Sequence, residues 1–299
     1  MNEILLDNQL SAEELESRNP AKEEVSSSEN SIPLVSIQPA ESKQKILSSP
    51  SKKDETHIKT GIQGFDELIG PGIPAGSQIL ISGGPGTMKT TFCMNVLVNC
   101  ARDKKCLYLS FEESEKNLVR NMKNYGWDMD NLLKSKNLVI RNIDPFKMSR
   151  SVETLLAQAR GELMIEVNEV KNLIPADFSP DVVVVDSLSA ISAGFFGKED
   201  GYRAYISQIF DTFRKLNITT FLITEIEHST TKYSKSGTEE FLADGVFVFY
   251  NLKQGNQRVN ATEIVKLRGV EHKKKIVPFK AMAGKGITVY PTEELFVEQ

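Results

Sequence analysis

The sequence predicts an α/β domain with a mostly parallel, doubly wound sheet and an antiparallel C-terminal extension, on three observations. Apolar runs of strand length recur along the chain, the clearest being Val182–Val185. An unbroken β-branched run is typical of a strand buried on both faces of a parallel sheet. Segments with helical spacing separate these runs, and polar residues gather where the runs end. We therefore expect a functional site along the carboxyl edge of the sheet.

Each element of the first half follows from its local pattern. Residues 60–69 indicate a glycine-punctuated start and a short helix, and a turn at 72–77 leads into the first long strand. Hydrophobic spacing then predicts alternating strands and helices. The strands are expected at 78–82, 106–111 and 137–140, and the helices from Thr90 to about Arg102, from about Leu118 to Gly126 and around 151–171.

The second half changes character near its end. A strand at 181–187, a helix at 202–216 and strands at 219–225 and 245–250 continue the alternation. Three short segments separated by turn residues follow, and they predict the antiparallel extension at 259–267, 276–281 and 286–290.

Bulk composition excludes several classes of protein. The 299 residues are 25% charged with a formal net charge of −4, which gives no overall attraction to nucleic acid or anionic membranes. No apolar run approaches the roughly 18 residues of a membrane span, so a cytoplasmic protein is expected. Three cysteines lie in or beside apolar runs, which predicts core residues in a reducing compartment: Cys93, Cys100 and Cys106.

Residues 1–55 differ in composition from the rest of the chain. They hold serine clusters, scattered prolines and few aromatic side chains. Such a segment cannot bury enough apolar surface to offset the entropy of ordering, which predicts a disordered N-terminal tail. One globular domain is then expected over 56–292, with a C-terminal tail at 293–299.

A glycine-rich loop between the strand at 78–82 and the helix at Thr90 carries the clearest chemical signal. Strand, loop and helix N-terminus in this order direct backbone N–H groups at phosphate oxygens. Lys89 is expected to reach the β and γ phosphates of a nucleotide, and the Thr90 hydroxyl to hold Mg²⁺. Met88 departs from the pattern G-x-x-x-x-G-K-[ST], because it stands where the second glycine allows close approach of the backbone to phosphate.

Three carboxylates at strand ends are candidate partners of this loop. Asp186 follows Val182–Val185 as a Mg²⁺-binding acid does. Its alternative role is a helix N-cap or a buried acid at the edge of the sheet. Glu112 and Glu113 follow the strand at 106–111, where a carboxylate could orient the water that attacks the γ-phosphate. Because strand side chains alternate between faces, only one of the two glutamates is expected at the nucleotide unless the strand ends first. Ser114 is also a candidate cap of the next helix.

The combined motifs resemble one KaiC domain of the RecA-like ATPases over about residues 57–290. The resemblance rests on segments that occur in the family's order: Ile62–Leu68, Gly83–Thr87, Phe111–Glu113, Tyr125–Asp128, Val185–Ser189, Glu239–Val246, and Lys266–Gly269 with His272 and Gly286–Ile287. It implies a RecA-like P-loop fold and a homo-oligomeric ring, usually a hexamer, with ATP between neighbouring subunits.

The resemblance also implies the nucleotide contacts. Phosphates and Mg²⁺ would be held within one subunit by the loop and the start of its helix, and Asn124 would contact the same nucleotide. The loop residues are Gly84, Pro85, Gly86, Thr87, Met88, Lys89, Thr90 and Thr91. The neighbouring subunit would supply Lys266, Leu267, Arg268, Val270 and His272, with Lys266 or Arg268 acting on the γ-phosphate like an arginine finger. From the residues alone, the Lys266 strand could equally be a solvated edge strand.

Three functions follow as hypotheses. The first is a slow ATP hydrolase that signals its nucleotide state to a protein partner; autokinase activity has no specific support. The second is a nucleotide-dependent scaffold that does not hydrolyse ATP, which Met88 motivates. The third is a recombinase-like protein that binds single-stranded DNA through the loop at 228–237, which mixes lysines and a tyrosine. The acidic balance of the chain disfavours the third.

Overall fold

The computed structural model describes residues 56–158, 168–226, 233–234, 236–293 and 295. The predicted tail at 1–55 lies outside these residues, as do most of the predicted tail at 293–299 and most of the loop at 228–237. In the part of the chain that is described, no helix is long and apolar enough to cross a membrane.

Eleven strands and eight helices make up the described fold. The strands are β1 (His57–Ile58), β2 (Ile73–Pro74), β3 (Gln78–Gly83), β4 (Cys106–Ser110), β5 (Leu138–Asn142), β6 (Val182–Asp186), β7 (Thr219–Glu225), β8 (Gly245–Gln254), β9 (Gln257–Leu267), β10 (Val277–Met282) and β11 (Gly286–Val289). The helices are α1 (Lys89–Cys100), α2 (Glu115–Lys123), α3 (Met129–Lys134), α4 (Pro145–Gln158), α5 (Asn168–Lys171), α6 (Leu188–Gly194), α7 (Glu199–Lys215) and α8 (Glu239–Leu242).

Nine of the strands form one sheet in the order β11-β10-β9-β8-β3-β7-β6-β4-β5. All neighbours from β8 to β5 pair in parallel, whereas β8 to β11 pair antiparallel. The predicted fold class, including the antiparallel extension, is confirmed. The parallel arrangement brings the ends of β3, β4, β6 and β7 to one edge of the sheet.

The central strands are buried on both faces, and their side chains alternate between two apolar layers. Ile79, Tyr108 and Val184 lie in the layer that also contains the buried face of α1. Leu80, Val183 and their neighbours lie in the opposite layer, with α6 and α7. Continuous apolar strands were therefore the correct pattern for this core.

One element prediction is wrong, and one predicted helix begins earlier than expected. Residues 60–69 form successive turns rather than a short helix, as in the hydrogen bonds from Phe65 N to Ile62 O and from Leu68 N to Phe65 O. The helix predicted around 151–171 begins at Pro145, and residues 159–167 lie outside the described part. Its early start has a local cause: the Asp144 carboxylate accepts hydrogen bonds from Phe146 N and Lys147 N, with Pro145 at the first helical position.

Candidate functional site

The phosphate loop joins the end of β3 to the start of α1. Its backbone takes left-handed conformations at Gly86 (φ 74°) and at Met88 (φ 69°). The Thr87 hydroxyl donates to Gly84 O at 2.8 Å and ties the loop together from inside. Met88 therefore occupies a conformation that glycine adopts at little cost and other residues do not. A half-buried side chain packs against the core from this position.

Lys89 lies inside the loop rather than in solvent. Its side chain is 7% exposed, and Nζ donates to Gly83 O at 2.9 Å and to Gly84 O at 2.8 Å. Glu225 Oε1, at the end of β7, lies 3.9 Å from the same nitrogen. Burial lowers the pKa of Lys89, and the nearby carboxylate of Glu225 opposes that shift. The ammonium therefore lies against two carbonyl groups of the loop, and its side chain lines the adjoining cavity.

Asp186 and Thr90 meet at the floor of the cavity. Thr90 Oγ1 donates to Asp186 Oδ2 at 2.8 Å, and the Tyr108 hydroxyl donates to the same oxygen. Burial raises the pKa of Asp186 to about 6, although hydrogen bonds from Tyr108 and Thr90 act in the opposite direction. The peptide bond from Asp186 to Ser187 is cis.

The Thr90 and Asp186 oxygens are suitable ligands for Mg²⁺. Mg²⁺ prefers hard oxygen ligands and is commonly held by one or two protein groups together with substrate phosphates and water. Among the described residues, no cluster of three histidine, cysteine or acidic side chains could hold a metal by itself. A hydroxyl and a single buried carboxylate at the foot of a phosphate loop fit a cation that arrives with the nucleotide.

Glu112, and not Glu113, lines the phosphate cavity. The cavity has a volume of about 310 Å³ and is lined by Gly86, Thr87, Met88, Lys89, Thr90, Thr91, Glu112, Asp186, Ser187, Ile223 and Glu225. Glu112 Oε1 accepts a hydrogen bond from the Ser187 hydroxyl. Glu113 lies instead against Asn121, whose Nδ2 donates to it at 3.4 Å. Because β4 ends at Ser110, both glutamates lie beyond the strand, and the following loop directs only Glu112 into the cavity.

Asn124 and the 266–272 segment lie outside this cavity. Asn124 caps the C-terminus of α2 and lines a separate cavity of about 820 Å³ that Ser114 and Leu133 also line.

Lys266 Nζ donates to Glu240 O and Ala243 O, at 3.1 and 2.6 Å. Further along the segment, the side chains differ in burial and partners: Arg268 pairs with Asp244, Leu267 is buried, Val270 packs against the core, and His272 Nδ1 lies 3.3 Å from Val270 O.

Strand pairing puts the phosphate loop at the carboxyl ends of the parallel strands and the 266–272 segment at their amino ends, on the opposite edge of the sheet. Ile79 pairs with Gly245, which in turn pairs with Leu267. The phosphate loop begins four residues further along β3, after Gly83, which is about 13 Å along the strand. The cations of this segment therefore cannot reach the cavity of their own chain.

A family model described as an ATPase of the KaiC type matches residues 58–294. The chain belongs to the KaiC family. The circadian clock oscillator protein KaiC of Prochlorococcus marinus is 29% identical over 253 residues, which are 83% of this chain and 48% of that protein. The protein of the same name from Parasynechococcus marenigrum is 30% identical and is matched over 78% of this chain and 44% of its own length. The chain thus spans about half the length of the curated relatives it matches.

A solved structure agrees with this assignment. The crystal structure of a KaiC-like protein from the archaeon Pyrococcus horikoshii OT3 matches with a TM-score of 0.63 and 28% sequence identity. The match covers 79% of this chain and 99% of that one. The resemblance to a single KaiC domain with a RecA-like fold is therefore confirmed.

Three polar residues of this KaiC-family chain were missed from the sequence: Glu225 and Ser187 line the cavity, and Tyr108 lies beneath it. Glu225 ends an apolar strand as Asp186 does, so the same pattern of an acid after an apolar run could have identified it. Ser187 caps α6 by accepting from Ala190 N at 3.2 Å while its hydroxyl donates to Glu112. Tyr108 gives no signal in the sequence, because a tyrosine in an apolar strand is normally a core residue.

Proposed function

We propose that this KaiC-family chain hydrolyses ATP slowly within a homo-oligomeric ring and signals its nucleotide state to a protein partner. One observation carries the proposal. A single cavity collects the lysine of the phosphate loop, the hydroxyl and acid suited to Mg²⁺, and a glutamate supported by a serine hydroxyl. These are the groups that phosphoryl transfer to water requires.

Each group has a defined task in this proposal. Lys89 neutralises charge on the β and γ phosphates, and the loop N–H groups bind their oxygens. Glu112 accepts a hydrogen bond from the attacking water and orients it, while the Ser187 hydroxyl fixes the carboxylate. Mg²⁺, when bound, neutralises charge that develops on the phosphate oxygens. Asp186 and Thr90 would hold that cation.

The charge of the cavity supports a site shared between subunits. Three carboxylates line it, those of Glu112, Asp186 and Glu225, against one ammonium, that of Lys89. Lys89 and a bound Mg²⁺ would together balance these three carboxylates, so the negative charge of the triphosphate itself calls for further cations. The Lys266 and Arg268 side chains lie at the opposite edge of the sheet, where they could face the cavity of a neighbouring copy. Three buried free cysteines among the described residues suit the reducing cytoplasm in which we place the ring.

Phosphate release by the purified oligomer tests the enzymatic part. We expect Glu112→Gln to lower turnover about 100-fold, within the range that general-base removal costs, while ATP·Mg²⁺ still binds. Glu113→Gln is the matched control, because this glutamate lies against α2, and it should retain most of the activity. Lys89→Ala should abolish saturable ATP binding. Equal turnover of wild type and Glu112→Gln would remove the proposed role of Glu112.

A scaffold that binds ATP without hydrolysing it is the second candidate, and the left-handed conformation of Met88 favours it. Met88 adopts a left-handed backbone conformation that costs free energy for any residue other than glycine. Its side chain also stands where a glycine would let the backbone approach the phosphates closely. The same assay separates the candidates. ATP-dependent assembly together with background phosphate release in wild type and Glu112→Gln alike would favour the scaffold.

A further inference from the structure

Tyr108 lies under the phosphate cavity in the middle of β4. Its side chain is fully buried, in the apolar layer between the sheet and α1. The hydroxyl reaches the end of the neighbouring strand β6 and donates to Asp186 Oδ2. The one polar atom of this side chain is therefore directed at an acid of the proposed nucleotide site.

Packing alone does not account for this hydroxyl. A phenylalanine would fill the same apolar volume without a buried polar atom, which costs free energy unless it is hydrogen-bonded. In the same layer Phe92, Phe221 and Phe247 are buried aromatic residues without such a group. The hydroxyl of Tyr108 instead meets a carboxylate that is 6% exposed and lines the cavity.

We propose that Tyr108 is a positioning residue that holds Asp186 in the orientation needed for the divalent cation bound with ATP. The inference rests on the proposed function and extends it to a residue outside the cavity lining. Tyr108 would act through Asp186 and would contact neither nucleotide nor metal. Loss of a group that orients a metal ligand typically costs about 10- to 100-fold in metal affinity.

The geometry explains how two hydroxyls prepare the site. Among the described residues, both hydrogen bonds to the Asp186 carboxylate end on Oδ2, one from Tyr108 and one from Thr90. Two donors on one oxygen fix the rotation of the carboxylate and leave Oδ1 available to the cavity. The proton of Thr90 is committed to the same oxygen, so the lone pairs of its hydroxyl are available to a cation. Without Tyr108, Thr90 would have to orient the carboxylate by itself.

The test is the Mg²⁺ dependence of nucleotide binding by Tyr108→Phe. Labelled ADP is titrated into the full-length protein at increasing Mg²⁺ concentration, so that the readout does not depend on turnover. We expect the Mg²⁺ concentration for half-maximal binding to rise about tenfold, the lower end of the usual cost of losing a supporting group. Binding in EDTA should remain as in wild type, because the phosphate loop is intact.

Tyr202→Phe is the matched control. Tyr202 is also a buried tyrosine whose hydroxyl donates to a buried carboxylate, at 2.6 Å from Glu239 Oε1, and neither residue lines the phosphate cavity. Both substitutions remove one hydroxyl from a buried tyrosine–carboxylate pair, so a general loss of stability would affect both. We expect only Tyr108→Phe to change the Mg²⁺ requirement. An unchanged requirement in Tyr108→Phe, or an equal shift in Tyr202→Phe, would overturn the proposal.

A second measurement covers the case in which Tyr108→Phe does not fold. With 3-fluorotyrosine incorporated at position 108, the ¹⁹F resonance should shift on addition of ADP with Mg²⁺ but not of ADP with EDTA. A resonance that responds equally to both contradicts a role toward the cation. If wild-type protein binds no nucleotide at any Mg²⁺ concentration, the proposed function itself fails. Normal Mg²⁺-dependent binding with an unaffected Tyr108→Phe variant removes the inference about Tyr108 alone.

Discussion

At the scale of single residues, Met88 provides a test of how the phosphate loop is tuned. A non-glycine residue in the left-handed region costs about 1 kcal/mol or more, and the loop then presents a side chain where close approach to phosphate is needed. We expect Met88→Gly to leave the fold intact and to raise ATP affinity or turnover several-fold. Titration with labelled ATP and phosphate release measure these effects.

Met88→Ala separates the effect of the left-handed backbone from obstruction by the methionine side chain. It removes most of the side chain but keeps the unfavourable backbone conformation, so it should recover only the part of the effect that comes from obstruction. Lower affinity and lower turnover in Met88→Gly would show that the methionine is an adapted part of the site, through its half-buried packing against the core.

Asp186 provides a stability test at the same scale. Its pKa is raised from 3.8 to about 6, chiefly by burial, so the folded protein binds a proton more tightly than the unfolded chain does. The ionised group therefore costs the folded protein about 3 kcal/mol at neutral pH. Proton binding by Asp186 therefore stabilises the folded protein. This stabilisation is fully present below about pH 4 and is lost as the pH rises through 6.

We expect Asp186→Asn to raise the melting temperature of the protein in EDTA without nucleotide. The amide oxygen can still accept from Tyr108 and Thr90, and no buried charge remains. Because only the wild type carries that charge, the gain should be larger at pH 8 than at pH 5. Thermal unfolding at the two pH values measures it, and a gain that does not depend on pH would contradict the electrostatic cause.

Sequence patterns predicted the residues that line the proposed site better than the residues that hold them in place. Lys89, Thr90, Asp186 and Glu112 follow strand and loop motifs, and all four line one cavity. Tyr108 could not be predicted, because its role depends on a hydrogen bond between two strands that are 78 residues apart at the contact. Only the pairing of β4 beside β6 brings them together.

At the scale of elements, α1 connects the phosphate loop to the antiparallel extension. Asn95, two turns into the helix, is 4% exposed and accepts a hydrogen bond from Ile287 N on β11 at 2.8 Å. Asn95→Leu keeps a similar volume but leaves that N–H unsatisfied, so we expect unfolding free energy to fall by about 1–3 kcal/mol. Denaturant unfolding measures the loss.

Asn99→Leu is the control for this bond. Asn99 lies one turn further along α1, is only partly buried, and donates from Nδ2 to Thr60 O at 3.0 Å. Water can replace this partner more easily, so a smaller loss is expected. An equal loss of unfolding free energy in both variants would mean that the Asn95 contact with β11 stabilises the fold no more than the Asn99 contact does.

Strands were more predictable than helix ends. The parallel strands are continuous apolar runs, and every predicted strand of the sheet is present. The start of α4 at Pro145 and the turns at 60–69 depend on a few local hydrogen bonds and not on the spacing of hydrophobic residues. The strand predicted at 245–250 continues to Gln254, because β8 pairs with β9 along its whole length around a turn at Gly255.

At the scale of the whole molecule, the separation of the two edges predicts complementation between variants. Lys89→Ala disables the phosphate loop, and Arg268→Ala removes a cation from the other edge. Arg268 is preferred to Lys266 because Lys266 also supports the carbonyl groups of Glu240 and Ala243. Each variant alone should be inactive. Rings assembled from both in equal amounts should recover about a quarter of wild-type turnover, since random neighbours complete one site in four.

Co-expression and phosphate release measure the recovery. Mass measurement of the particle with and without ATP·Mg²⁺ establishes in parallel that the protein assembles. Assembled mixtures without any recovered turnover would show that Arg268 does not act in a neighbouring site.

Each copy carries the phosphate cavity at one edge of its sheet and the Lys266 and Arg268 cations at the other, so the two edges are not equivalent. Under the proposed assembly, successive subunits join head to tail, and a closed circle of n copies holds n complete sites while an open row of n copies holds one fewer. The molar ratio of bound ATP to protein therefore distinguishes closed from open assemblies. It equals one only when no subunit is left at an end.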